Sequence, residues 1–386
     1  MRSIYIILLL FPLFKGIVVP KDISIGKEPK QDFVSYYHYI NLSNRSIYNG
    51  DLANAALFLD SAFQYIKSPY FKDLQKRIIL NWKLNMSEKN IQLLNFILKT
   101  KHIDTAQLKT LFPLELLTGF NTKVKPGKLS SQMKEFKYQL ERIYQTDQEI
   151  KGYYDFKTIQ TDNYIPKAKR EKQEMLELAN ADKFIKLIRK YGFPTENNIG
   201  YFIHDLSDPT KIKAIELSHV VDILFRNYLG TKFKEDALRI LETAMTNHII
   251  HPINYAHLKD HYNENIKSRK FNWGIQYLVP SVIRIDNAFY RPFVYYSKGL
   301  LDSVNNNRIS IGLDSLHIEQ HQIVSQQICG DSTKANNLSI PTYTYINEYR
   351  LGFVKWAVEK EGRLMSDFII STDKIKKECK CKALLY

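Results

Sequence analysis

The chain has 386 residues, 44% of them hydrophobic and 25% charged, which excludes an intrinsically disordered protein and leaves room for two or three domains with buried cores. A formal net charge of +15 favours anionic partners, yet the lysines are spread along the chain rather than blocked, as on an ordinary solvated surface. The three cysteines, Cys329, Cys379 and Cys381, exclude the disulfide framework of a small secreted domain. Cys329 can pair with either of the others, leaving one thiol over.

Residues 1–20 read as a secretory signal, with an uncleaved N-terminal anchor as the alternative. Arg2 supplies a positive start, and Ile4 to Phe14 form an apolar run too short to span a hydrocarbon core of about 30 Å as a helix. No later stretch is long and apolar enough to cross a membrane. A periplasmic or secreted protein is expected, with no transmembrane span after signal removal.

Residues 32–112 show helical spacing throughout. Phe33, Tyr37 and Ile40 recur on one face; Gly50 breaks the chain and Asp51 caps the next helix, whose stripe is Leu52, Ala55, Ala56, Leu59, Phe63 and Ile66. Phe71, Leu74, Ile78 and Trp82 mark another helix, and Ser87 is expected to cap one carrying Ile91, Leu94 and Leu98. The run from Tyr48 through Gly50 and Ala55 to Ala62 and Pro69 resembles a tetratricopeptide helix pair, with a glycine at the tight turn and alanines where helices nearly touch. An unrelated helical hairpin would carry the same pattern. Fewer than three repeats rarely stand alone, so this region is expected to pack on the rest.

Residues 113–130 form a linker around Pro113 and Lys123–Lys128. A helix follows with Met133, Phe136, Leu140 and Ile143 on one face. The next element organises what comes after it: Asp182 as cap, an apolar stripe of Phe184, Leu187, Ile188 and Tyr191, then Gly192 and Pro194 to stop the helix and turn the chain. Ser207-Asp208-Pro209 is expected to start a helix that Gly230 ends. Further helices carry Phe233, Ala237, Ile240, Leu241 and Ala244, then Tyr255, Leu258 and Tyr262. From Trp273 the composition turns β-branched and aromatic, with a hairpin expected around Asp286-Asn287. Asn305-Asn306-Asn307 reads as a loop, 314–328 as helical, and a last helix uses Ile346, Phe353 and Val354 before a basic tail, so that 340–386 is a C-terminal helix and tail.

The motifs between 131 and 328 come in a telling order: Asp147-Gln148, Gly192-Phe193-Pro194 with Gly200, Ser218-His219, Asp260-His261, Trp273-Gly274-Ile275-Gln276, and Arg308 before Gly312-Leu313. The ordered set resembles an uncharacterised bacterial family, the domain of unknown function numbered 6624. That resemblance implies a domain boundary and a list of residues, and no reaction.

His219 lies four residues from Ile215 and Ile223 and is read as facing an apolar side of its helix, where a histidine is a hydrogen-bonded core residue or a proton donor and acceptor in a pocket. Asp260, Gln276 and Arg308 are the polar partners expected beside it, Arg308 suiting a carboxylate or phosphate or else capping the Asn-rich loop. His257-Leu258-Lys259-Asp260-His261 looks like an inverted zinc-protease motif, but aspartate is one methylene shorter than the glutamate that motif uses. No metal, no cofactor and no specific nucleic acid is expected. Asn41-Leu42-Ser43 and Asn44-Arg45-Ser46 match glycosylation acceptors.

The sequence thus predicts a mainly α protein: tetratricopeptide-like helical hairpins, then an α+β domain with a small β-hairpin. A binding or scaffold protein of the cell envelope with a protein or peptide partner is the first functional expectation. The alternative is an enzyme, a hydrolase with its pocket around His219 and Arg308.

Overall fold

A computed structural model describes residues 32–117, 119–120, 125–152, 167–205, 213–229, 232–267, 282–285, 288–290, 298–320 and 346–348. The expected signal, Gln276, the three cysteines and the basic tail lie outside the described residues.

The chain is mainly helical, as expected. Helices α1 (Phe33–Tyr48) and α2 (Leu52–Ala62) form the hairpin read from the sequence. Gly50 turns the chain at φ 78°, a left-handed value that side chains disfavour, and Asp51 caps α2 by accepting the Asn54 N–H at 3.1 Å. The alanines let the two helices approach until the Ser43 hydroxyl donates to the Ala55 carbonyl at 2.9 Å. Then follow α3 (Phe71–Lys83), α4 (Asn90–Thr100) and α5 (Thr105–Leu111). Ser87 does not cap α4. It opens a 3-10 turn, Ser87–Lys89, and Asn90 begins the helix buried, donating to the Ile78 carbonyl at 3.2 Å. Tyr36, Leu59, Phe71, Ile78, Leu93, Ile97 and Leu108 belong to one core built from these helices.

A second core is built on α6 (Ser131–Gly152), α7 (Lys167–Tyr191), α8 (Leu217–Leu229), α9 (Lys234–Thr246) and α10 (Pro252–Lys267). Phe136, Leu140, Phe184, Ile188, Leu224, Phe225, Leu241 and Leu258 are all buried in it. Helix α7 starts well before Asp182, which is not a cap but pairs with Lys186 at 2.6 Å on the exposed side. The preceding run of Ala, Lys, Arg, Glu, Gln, Met and Leu has high helix propensity and nothing in it to stop a helix.

Between the cores lies an unexpected antiparallel hairpin, β1 (Phe202–Asp205) with β2 (Lys213–Glu216), its register set by Phe202 opposite Glu216 and Asp205 opposite Lys213. Helix α8 therefore starts at Leu217, after a strand, and not at Ser207-Asp208-Pro209, which lie outside the described residues. Strand β1 is too short to show its period in the sequence. Its alternation is plain in space: Phe202 belongs to the first core and Ile203 to the second. One strand therefore wedges two cores, and the N-terminal helices do pack on the rest.

The later hairpin exists as predicted, β3 (Val282–Ile285) with β4 (Ala288–Tyr290), Ile285 opposite Ala288. Strand β5 (Ile346–Glu348) joins β3 in parallel, so Ile346 is in a strand and not in the last helix. Asn305-Asn306-Asn307 is no loop either: it lies inside α11 (Lys298–Ser310), where the Asn305 side chain accepts the Leu316 N–H at 2.9 Å. Asparagine in a helix costs only about 0.7 kcal/mol, less than such tertiary contacts return. Among the described residues, no helix is long and apolar enough to cross a membrane.

Candidate functional site: a cleft between the two cores

The bend after α7 is where the two cores meet. The Gly192 N–H donates to the Ile188 carbonyl at 2.8 Å with φ 84°, the left-handed helix end that glycine permits. The bend then satisfies its own polar groups. The Thr195 N–H donates to Asn198 Oδ1 at 2.7 Å, the Asn198 N–H to Thr195 Oγ1 at 3.2 Å, and Asn198 Nδ2 to the Phe193 carbonyl at 3.0 Å.

Its remaining side chains reach across to the N-terminal helices. Lys101, fully buried, brings its ammonium to 3.3 Å from Glu196 Oε2, 2.6 Å from Asn197 Oδ1 and 3.2 Å from Ser68 Oγ. Glu196 also accepts the Phe71 N–H at 2.8 Å, a carboxylate at the positive end of α3. Burial pulls the Lys101 pKa down and pushes that of Glu196 up, and each opposes the shift of the other by its charge. His102 sets Nδ1 3.0 Å from the Gly127 carbonyl and Nε2 3.1 Å from that of Asn197. The linker is strapped down at this point: a Cβ on Gly127 would meet the Lys99 carbonyl oxygen at 2.1 Å, so only glycine fits.

Where bend and helices part, they leave a cleft of about 840 Å³. Phe33, Phe96, Phe193, Leu217 and Val221 give it apolar walls; Lys67, Lys72, Lys99, His102, Ser218 and His248 give it polar ones. His248 stacks on Phe33 with centroids 4.2 Å apart and planes 10° from parallel. Deeper, His251 lies edge-on to Tyr37 and Tyr70, at 5.3 and 5.2 Å. Its Nδ1 accepts the Ile253 N–H at 3.3 Å and so caps α10, with Pro252 in the first turn. Burial holds the His251 pKa well below the usual value, and the charges of Lys72 and Lys76 add to that.

Of the four residues expected to share a pocket, His219 and Arg308 differ in burial, while Arg308 and Asp260 are both buried and near enough to interact by charge. His219 is exposed at the start of α8, where Val220, Leu224 and Tyr228 take the buried face. Ile215 belongs to β2, so the expected spacing to it was not helical. Arg308 is fully buried: its Nε donates to the Asp314 carbonyl at 2.7 Å, and it pairs with Glu319. Burial lowers its pKa to about 10, against the opposing charges of Asp260 and Asp314. Asp260 is also buried, and Gln276 lies outside the described residues. Arg308 thus holds the 311–319 segment in place. That segment docks on α1, where Arg45 pairs with Asp314 and the Asn41 amide donates to the Gly312 carbonyl at 2.9 Å.

Other expected positions also have structural roles. Asp147 is buried and accepts from Asn227 at 2.7 Å. His257 sets Nδ1 2.9 Å from Asp222 Oδ1, which orients its ring. The amide of Asn44 is also engaged, its oxygen accepting from Lys76 at 2.7 Å, so neither acceptor triplet presents an idle asparagine. The lysines and histidines of the cleft were not singled out for it, because they come from three separate stretches of chain. Only the Gly192–Gly200 bend marked the place.

No protein-family model, no curated protein and no solved structure matches the chain.

Proposed function

We propose that this chain is an exported binding protein whose ligand occupies the cleft between the N-terminal helices and the Gly192–Gly200 bend. The observation that carries the reading is the cleft itself: about 840 Å³, apolar walls interspersed with many polar groups, at the junction of two separate cores. Small-molecule sites favour such junctions. The hydrolase alternative needs His219 and Arg308 in one open pocket, and their opposite burial counts against it. Export rests on the positive start and apolar run of residues 1–20.

Ser218→Trp tests the site, since residue 218 lines the cleft at the start of α8 and an indole there obstructs that wall. Thermal-shift screening of a small-molecule set against the native protein is expected to find stabilising compounds, and the variant is expected to lose them. Compounds that stabilise both proteins equally would place the site elsewhere. Mass spectrometry of the protein isolated from its host tests export: the mature chain is expected to lack about the first twenty residues, and an intact chain confined to the cytoplasm would refute that part.

A further inference from the structure

We propose that the ligand of this cleft is a small organic anion, a carboxylate or phosphate head on an apolar ring-bearing body; the inference rests on the cleft being the binding site. Charge at the opening is the first argument. Lys67 and Lys99 line the cleft from two different stretches, both are exposed, and neither has an ion-pair partner among the described residues. Lys72 is already held by Glu216 at 3.1 Å. Among the described lining residues Glu196 is the one carboxylate, and it is occupied by Lys101 and by the Phe71 N–H. The opening therefore offers uncommitted positive charge and no uncommitted negative charge. An ammonium that is exposed yet positioned at a cavity attracts an anion that can shed part of its water there.

The walls give the second argument. His248 is half-exposed and stacked on Phe33, and Phe193, Leu217 and Val221 continue the apolar surface. A stacked ring pair offers a flat face on which another ring can lie. Inorganic phosphate alone would leave that surface wet, so the ligand has a body as well as a head.

The test is isothermal titration of the full chain at low salt with phenyl phosphate, benzoate, benzyl alcohol and inorganic phosphate. Phenyl phosphate and benzoate share the ring and differ in the head, so the tighter of the two identifies the head group. Both are expected to bind, with benzyl alcohol and inorganic phosphate each weaker by about tenfold or more. Lys67→Gln/Lys99→Gln is expected to weaken the two ring-bearing anions about five- to tenfold and benzyl alcohol less than twofold, while Lys67→Arg/Lys99→Arg retains them. Both positions are exposed, so circular dichroism of these variants should match the native protein. If benzyl alcohol matches the anions, or the glutamine pair changes nothing, the anionic head is refuted while the cleft stands. Inorganic phosphate as tight as phenyl phosphate refutes the apolar body, and failure of all four probes refutes the ligand class. Anion binding that survives Ser218→Trp instead sinks the cleft as the site.

Discussion

Lys101→Met probes the joint between the two cores most directly. The substitution keeps the length and apolar stem of a fully buried side chain and deletes the ammonium, with its charge and its hydrogen bonds to Asn197 and Ser68. What remains behind sets the magnitude. Glu196, with its side chain 16% exposed, keeps one donor, the Phe71 N–H at 2.8 Å, and loses its counter-ion. Removing one partner of a buried ion pair costs about 3–5 kcal/mol, and the residual exposure of Glu196 places this case near the lower end, about 3 kcal/mol. Glu196→Gln deletes the stranded charge and keeps an oxygen for Phe71. The double variant is therefore expected to be more stable than Lys101→Met alone. Equilibrium urea denaturation of the native protein, both single variants and the double variant gives the coupling energy. A Lys101→Met protein within about 1 kcal/mol of native, the range of a surface pair, would refute the reasoning. So would a double variant less stable than Lys101→Met.

Three further outcomes follow from the same physical arguments. His251 titrates below the ordinary 6.5 in the folded chain, so as pH falls through that value the unfolded chain binds a proton that the native one refuses. Stability then declines by up to about 1.4 kcal/mol per pH unit from this group, and His251→Leu should show a shallower slope between about pH 6.5 and 5; equal slopes would count against it. Gly312→Ala should destabilise by about 1–3 kcal/mol in thermal denaturation, because residue 312 sits at φ 88° and a Cβ there meets Tyr37 Cβ at 2.7 Å. Arg308→Met should cost about 3–5 kcal/mol and His219→Ala no more than about 0.5; comparable losses in denaturation would count against this difference in burial.

Much of the helical architecture was legible because each helix carried its own punctuation. Gly50-Asp51, Gly192-Pro194 and the apolar stripes of α1 to α3, α6, α7 and α9 are local signals, and local geometry obeyed them. The β1–β2 hairpin was not legible, since four residues per strand give too few alternations, and Ser207-Asp208-Pro209 matched a helix start equally well. Asn305-Asn306-Asn307 misled in the other direction: its loop propensity is weak beside the contacts that Asn305 and Arg308 make with the following segment. The candidate site was illegible for a different reason. A lysine that belongs to a cleft has the same local pattern as one that belongs to water, so Lys67 and Lys99 could be told from their many neighbours only after the chain had folded around them.

The Tyr201 backbone explains why the joint and the cleft belong together. Its N–H donates to the Lys101 carbonyl at 3.1 Å, and its carbonyl accepts the Leu217 N–H at 2.8 Å. The backbone of one residue thus fixes the end of α4 to the start of α8, the two places that carry Lys99 and Ser218 into the cleft. The Tyr201 ring, 4.1 Å from that of Phe71, fills the first core beside it. A ligand lying between Lys99 and Ser218 would bridge the same two elements from the open side. It would bind only while they are held together, because each contributes part of one wall. Binding and the joint are then linked by mass action: ligand at one hundred times its dissociation constant would add about 2.7 kcal/mol to the stability of the folded chain. Conversely, loosening the joint lowers the fraction of molecules in which the wall exists, and apparent affinity falls by that fraction. On the proposed reading, the Lys101–Glu196 pair would therefore act on ligand binding by keeping the two sides of the cleft at one spacing.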